Sequence, residues 1–210
     1  MNTTEVKTKG IIKSFDDLFF YARKQFLEYE KLEGIDDWEE HDFSIDCSAD
    51  QMRFKDMLQI RCVEELTEAT HAFDNEEHFF EEVTDALNFF LSAYCMLGVN
   101  LKELEDPEHM LKVWGLTLKS DLSEYIEKLR IKGLFYDIVD DIGDLCNLLK
   151  NRPWAQSNYL VSMYDFDLRS KKLWHTFWFS LARLGLTKET IFDMFERKYE
   201  VNRFRIRSGY

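Results

Sequence analysis

The stretch that decides the fold is residues 51–73, QMRFKDMLQIRCVEELTEATHAF, followed at once by residues 74–98, DNEEHFFEEVTDALNFFLSAYCMLG. In the first part apolar residues recur every three or four positions, which predicts a long amphipathic helix: Leu58, Cys62, Leu66, Ala69 and Phe73. The second part carries a broader apolar face before Gly98, a residue that favours helix termination: Val83, Ala86, Leu87, Phe90, Leu91 and Tyr94. Two such helices in succession predict a helical hairpin.

The rest of the chain repeats the helical spacing and offers no clear strand. Further helices are predicted within 14–34, 120–133, 134–150, 170–185 and 187–204. Residues 36–50 read as a loop, and a charged segment around 102–112 separates two halves. Two prolines and eight glycines are too few for a turn-dense β protein. The sequence therefore predicts one all-α domain over 1–210, a multi-helix bundle with a polar N-terminal arm at 1–13.

Composition limits the partners and the compartment. The formal net charge of −13 argues against nucleic acid as the main partner, because phosphate backbones are bound by Lys and Arg. No apolar run approaches the ~20 residues that a membrane-spanning helix needs, and the first residues lack the apolar centre of a signal peptide. The four cysteines stand far apart without a C-x-x-C pair, which suits free thiols in a reducing compartment. We expect a cytoplasmic protein that binds neither nucleic acid nor a membrane.

Paired acids are the most informative chemical feature. Glu65 with Glu68, and Glu82 with Asp85, are each spaced to share one helix face, and a hairpin would bring the two pairs together. Clustered carboxylates repel one another unless a cation lies between them, and Mg²⁺ commonly joins such carboxylates to substrate phosphates. The alternative is that these pairs are ordinary solvated helix faces, since the chain contains 40 Asp and Glu residues.

The C-terminal stretch KYEVNRFRIRSGY, residues 198–210, is basic in an acidic protein. Lys198, Asn202 and Arg205 are spaced to share one helix face, and Tyr210 follows Gly209. Lys offers a compact charge and Arg a fork of donors that matches phosphate. The alternative is that these bases only complement the helix macrodipole, which does not account for Asn202 or Tyr210.

The two halves of the chain resemble each other. Residues 63–73 align with 139–149, and residues 81–99 align with 168–186, so that Gly98 meets Gly185. In this overlay Arg169 replaces Glu82 and Lys172 replaces Asp85, which leaves Asp141 and Asp144 without acidic partners for a metal. We therefore predict metal-binding helices at 51–98 and a second pseudo-repeat with the basic tail at 134–210.

These motifs resemble those of a known family. EELTE and EEVTDALNFF resemble the EExxE and ExxD motifs of the all-α nucleoside triphosphate pyrophosphatases, the MazG-like superfamily that includes dimeric dUTPases. KYEVNRFRIRSGY resembles the K-x3-N-x2-R-Q-x2-G-Y signature of dimeric dUTPases and the T-even phage dCTPase-dUTPase. The resemblance implies an all-helical homodimer that hydrolyses dUTP and dUDP to dUMP with Mg²⁺, for which Mn²⁺ could substitute. The compartment would be the host cytoplasm if the gene is carried by a phage.

The resemblance also implies roles for individual residues. Metal ligands would be Glu65, Glu68, Glu82 and Asp85, with Glu65 orienting the attacking water. Phosphates would be bound by Lys198, Arg205 and Tyr210, while Asn202 would contact the substrate near its sugar or phosphates. Gln25 in the first helix is a candidate reader of the base. Two departures, Ile206 for the signature Gln and Asn88 for a frequent His, predict altered base or phosphate contacts.

LLKNRPWAQS also resembles a stretch of phage members of this group, so Lys150, Asn151, Arg152 and Trp154 are candidates for the pocket wall, with Trp154 as a stacking surface. Polar capping of a helix end over a packed Trp explains the same residues equally well. Two alternatives for function stay open at this stage. The substrate could be dCTP or another deoxynucleotide, including a modified one, and the chain could be a helical interaction protein whose ancestral site has decayed.

Overall fold

In the computed structural model, the structure describes residues 10–34, 43–98, 104–115, 124–149 and 161–209. This part of the chain is all-helical and contains no strand, as the sequence predicts. The helices, in chain order, are α1 (Phe15–Leu32), α2 (Ser48–Lys55), a π-helical segment (Asp56–Cys62), α3 (Val63–His71), α4 (Glu76–Met96), α5 (Pro107–Gly115), α6 (Glu124–Leu148), α7 (Met163–Arg183) and α8 (Lys188–Ser208). None of these helices is long and apolar enough to cross a membrane.

Local sequence signals explain where several helices begin and end. Ser14 begins α1 in a reciprocal capping box with Asp17, which satisfies backbone N–H groups that the first turn leaves unpaired. The hydroxyl of Thr187 accepts a hydrogen bond from the N–H of Thr190 at the start of α8. Gly98 and Gly185 follow α4 and α7 with φ of 61° and 80°, a conformation that glycine adopts without strain.

The predicted boundaries differ from the structure in several places. The helix predicted over residues 51–73 starts at Ser48, widens into the π-helical segment and ends at His71. The charged segment after residue 102 contains α5, which a proline at its first turn is well suited to start. The helices predicted on either side of Gly133 are one continuous α6, because a single glycine weakens a helix without breaking it.

The helices pack so that α4 and α7 meet at the centre of an aromatic core. The rings of Phe90 and Phe177 stack with their centroids 3.9 Å apart, and Tyr94 donates a hydrogen bond of 2.6 Å to the carbonyl of Ser170. The apolar face predicted for α4 is buried throughout. Around this core α4 packs against α1, α3 and α8, while α7 packs against α5 and α6. One cavity lies among α1, α3, α4 and α8.

Candidate functional site

A cavity of about 270 Å³ is lined by six of the eight predicted site residues that the structure describes. Its walls come from α1, the π-helical segment, α3, α4 and α8. Residues from four separate stretches of sequence meet here, among them Gln25, Glu65, Asp85, Lys198, Asn202 and Arg205. The sequence assigned these residues to metal, phosphate and base, and the fold brings them to one place.

Three carboxylates form a tight group at one side of this cavity, which we call the acid cluster: Glu65, Glu82 and Asp85. One carboxylate oxygen from each lies within 4.8 Å of the others. Glu65 lies in the first turn of α3, whereas Glu82 and Asp85 lie one turn apart on α4. Glu82 is buried, so the cluster is not a solvated helix face. The predicted hairpin therefore does bring acids of the two motifs together.

The electrostatics of the acid cluster are unfavourable in the absence of a cation. Burial, followed by a hydrogen bond with Glu82 and the negative charges of Asp85, Glu82 and Glu68, raises the pKa of Glu65 to about 8. Burial also raises the pKa of Asp85, although its ion pair with Lys198 acts in the opposite direction. In the absence of a cation these causes favour the protonated form of Glu65.

A lysine and a histidine border the acid cluster. Lys198, from α8, places its Nζ 2.5 Å from Oδ2 of Asp85 and 3.8 Å from Oε1 of Glu81. His78 places its Nδ1 3.0 Å from Oε1 of Glu82, a contact that the sequence did not indicate. Lys198 is thus the direct link between the basic tail and the acids of α4.

The remaining predicted site residues fall into three groups. Glu68 is exposed and lies outside the acid cluster, although its charge contributes to the raised pKa of Glu65. Gln25 and Asn202 are buried in the cavity wall, and Arg205 lies at its exposed mouth. The predictions for Tyr210, Lys150, Asn151, Arg152 and Trp154 lie outside the described residues.

The structure adds cavity residues that the motifs did not indicate. Tyr29 lines the cavity from α1; burial raises its pKa, and the charges of Arg205 and Asp85 both act on it. Arg61 stacks over the ring of Phe89, with its guanidinium carbon 5.7 Å from the centroid. Arg61 lies four positions before Glu65, and Phe89 lies four positions after Asp85. The helical repeat of the acid motifs could therefore have identified them in the sequence.

The donor set of the acid cluster suits a hard divalent cation. Mg²⁺ prefers carboxylate oxygens and keeps coordination positions for water and substrate phosphate. Three carboxylates from two helices converge, and burial together with their mutual repulsion raises the pKa of Glu65, so a bound cation would stabilise the ionised cluster. Glu65, Glu82 and Asp85 are therefore the residues that could hold Mg²⁺.

The matching acids of α6 are arranged differently. Asp141 is buried, lies 2.5 Å from Nζ of Lys172 and accepts a hydrogen bond of 2.6 Å from Thr176. Asp144 forms an ion pair of 2.6 Å with Arg169. Bases from α7 therefore form ion pairs with these acids of α6.

Comparison of the chain with known proteins gives no match: no family model, no curated protein and no solved structure is similar enough to indicate a relationship.

Proposed function

We propose that this protein is a Mg²⁺-dependent nucleoside triphosphate pyrophosphohydrolase, with dUTP and dUDP as first candidate substrates and dUMP as product. The observation that carries the proposal is the cavity in which acids from α3 and α4 face the cations of α8. Acids alone would repel a triphosphate, and bases alone would not hold a metal. The two together match a metal–nucleotide complex.

In this proposal the acid cluster holds Mg²⁺ through Glu65, Glu82 and Asp85. When bound, Mg²⁺ would polarise phosphate oxygens and lower the pKa of an attacking water. As the resemblance implies, Glu65 would orient the attacking water once a bound cation has displaced the proton that its raised pKa favours. Glu68, which is exposed beside the cluster, would act on the metal site through its charge.

The cationic side of the cavity would bind the phosphates. Lys198 has only 11% of its side chain exposed and is held by Asp85, so it is preorganised at the boundary between metal and phosphate. Arg205 at the cavity mouth offers a fork of donors for the outer phosphates. Tyr210 follows Arg205 on the same tail and stays a predicted phosphate ligand.

At the other end of the cavity the base would meet Gln25, as the resemblance implies, together with the ring of Phe89. Both residues line the cavity. An aromatic face suits any nucleobase, so Phe89 supports a nucleotide substrate without selecting among the bases. dCTP, or another deoxynucleotide, is therefore the first alternative substrate.

We also propose that the chain has the MazG-type fold with an internal pseudo-repeat. Two features support this: α6 and α7 carry charged pairs at the positions that the overlay assigns to the acids of α3 and α4, and Gly98 and Gly185 have the same left-handed conformation. The homodimer that the resemblance implies stays a prediction, which light scattering of the purified chain would test.

The experiment is a hydrolysis panel of dUTP, dCTP, dTTP, dATP, dGTP and dUDP, with and without Mg²⁺, in which pyrophosphate or phosphate release is measured. We expect Mg²⁺-dependent release from at least one substrate, reduced about a hundredfold or more in Glu82→Gln. Glu76→Gln is the matched control, because Glu76 is an exposed acid in the first turn of the same helix.

Equal rates in wild type and Glu82→Gln would refute the proposed metal site. No hydrolysis of any substrate, together with no Mg²⁺-dependent nucleotide binding by calorimetry, would favour the alternative of a helical interaction protein with a decayed site. Circular dichroism of each variant keeps a loss of fold separate from a loss of chemistry.

A further inference from the structure

The chemical character of the cavity wall changes along α4. Asp85, Asn88, Phe89 and Ser92 all line it and follow one another along successive turns of this helix. Because an α-helix rises about 1.5 Å per residue, Asn88 to Ser92 lie roughly 5–10 Å beyond Asp85. Along α4 the cavity wall therefore changes from the carboxylate of Asp85 to the amide of Asn88 and the ring of Phe89, while Glu30 and Glu33 add carboxylates from the α1 side. This distance along α4 corresponds to the sugar that separates phosphates from base in a nucleotide.

Two side-chain amides in the cavity wall are buried, and each has one atom without a hydrogen-bond partner. Asn88 is 7% exposed and Gln25 is 5% exposed, and both line the cavity. Nδ2 of Asn88 and Oε1 of Gln25 have no hydrogen-bond partner among the described residues. A buried amide without a partner destabilises the fold, because it has lost its water without gaining a new hydrogen bond. A bound ligand would supply the hydrogen bonds that the described part of the chain does not provide.

We propose that Asn88 is a specificity-determining residue whose side-chain amide hydrogen-bonds the polar edge of the nucleobase. This inference rests on the proposed function and deepens it. The amide is neutral and offers a donor beside an acceptor, whereas phosphate oxygens only accept. Lys198 and Arg205, on α8, already provide the charged donors for the phosphates.

Gln25 supplies the complementary group from the α1 wall of the same cavity. Its unpartnered oxygen and the unpartnered nitrogen of Asn88 together present one acceptor and one donor. A half-turn of either amide exchanges its donor and acceptor. The pair therefore suits a ring edge with a donor next to an acceptor, and it discriminates against a ring that lacks one of the two.

The ring of Phe89 and the guanidinium of Arg61 form a flat surface in the same cavity as the two amides. They stack 5.7 Å apart and line the cavity next to Asn88. Arg61 is itself held by Asp56, with Nε 2.8 Å from Oδ2. A fixed flat wall beside the amides restricts the orientation of a planar ring, and this orientation is what makes edge recognition selective.

The test is Asn88→Leu, which removes the amide and keeps the number and branching of the side-chain heavy atoms. We expect an unchanged or higher Tm, because a buried unpartnered amide is replaced by a hydrocarbon group. We expect kcat/KM for the preferred deoxynucleotide to fall about ten- to a hundredfold, and its preference over the other bases to shrink by a similar factor. Inhibition by inorganic triphosphate, which has no base, should not change.

Asn147→Leu is the matched control, because Asn147 is exposed on α6 and does not line the cavity. It should leave every rate and ratio as in the wild type. Gln25→Met, the corresponding change on the opposite wall, should also reduce the preference among bases without lowering Tm.

Three results would overturn the inference. An equal loss of rate on every deoxynucleotide, with unchanged preference, would mean that Asn88 does not read the base. A Tm lowered by several degrees would show that the amide has a structural partner. A wild-type protein that neither hydrolyses nor binds any nucleotide would remove the proposed function as well, and this failure appears in the wild type and not in the variant ratios.

Discussion

Two helix pairs, α3 with α4 and α6 with α7, each bring acidic side chains close to charged neighbours. The negative charge is compensated differently in the two pairs. In the first pair three carboxylates converge, and the pKa of Glu65 is raised to about 8. In the second pair Lys172 and Arg169 bind Asp141 and Asp144 directly. Internal bases make the second cluster self-sufficient, whereas the first remains unstable until a cation or a proton neutralises it.

The difference between the two helix pairs indicates which buried acids contribute to folding and which are retained for function. A buried acid that is paired with a base contributes to folding, but a buried acid left among other acids weakens the fold and is retained for another reason. Lys198 is informative because, among the residues that the structure describes, its ion pairs are with Asp85 and Glu81. It compensates the charge of Asp85 and leaves Glu65 with a raised pKa.

The largest effect that sharpens this comparison is expected for Lys198→Met. Loss of a preorganised cation at the phosphates should reduce nucleotide hydrolysis about a hundredfold. Stabilisation by Mg²⁺ should persist, because Asp85 then loses a competing cation. Initial rates and thermal unfolding with and without Mg²⁺ check both parts. Lys171→Met, at an exposed ion pair with Asp167 on α7, is the control and should match the wild type.

A wild-type rate in Lys198→Met would return the basic tail to the role of a complement to the helix macrodipole. Loss of the Mg²⁺ response together with the rate would instead mean that Lys198 shapes the acid cluster and does not act on phosphates.

A smaller effect, on stability alone, is expected for Lys172→Met in the second helix pair. Asp141 would remain buried and, within the described ranges, would keep Thr176 as its hydrogen-bond partner, which should lower the free energy of unfolding by about 2 kcal/mol. Hydrolysis should not change, because these residues lie outside the cavity. Chemical denaturation and initial rates provide the two measurements.

Asp141→Asn in the Lys172→Met background should recover part of the lost stability, because the buried charge is then gone. If the double variant is less stable than Lys172→Met, Asp141 is stabilised by contacts other than the ion pair, and the comparison between the two helix pairs weakens.

The smallest effect is expected for Arg169→Gln. The side chains of Arg169 and Asp144 are 42% and 43% exposed, so solvent screens their attraction and the change should alter stability by no more than about 0.5 kcal/mol. Hydrolysis should again be unchanged. A loss above about 1.5 kcal/mol in urea denaturation would show that this exposed pair is a structural element of the second half.

The sequence predicts much of this architecture because helical periodicity is a local signal. The stripe from Leu58 to Ala69 and the face around Phe90 are buried as the spacing indicates. The same periodicity placed Glu65 with Glu82 and Asp85 once a hairpin was assumed. These are short-range regularities, which a single sequence carries in full.

The parts that the sequence did not predict depend on tertiary packing. The π-helical segment of Asp56–Cys62 arises within a stretch whose apolar spacing reads as an ordinary helix. Glu68 shares a helix face with Glu65 by spacing, yet it lies in solvent outside the cluster. Asn88 appeared only as a departure from a motif, and its unpartnered amide becomes visible only when the cavity wall is assembled. No local pattern reports such long-range geometry.

The most direct test of the central claim is calorimetric titration of α,β-imido-dUTP, a non-hydrolysable analogue, into wild type, Glu82→Gln and Glu76→Gln, each with and without Mg²⁺. If dUTP is not the preferred substrate, the imido analogue of the preferred deoxynucleotide replaces it. We predict binding to wild type and Glu76→Gln that requires Mg²⁺, and at least a tenfold weaker affinity for Glu82→Gln. Binding of equal strength in all three proteins, or binding that does not depend on Mg²⁺, would contradict the assignment of the acid cluster as a metal site.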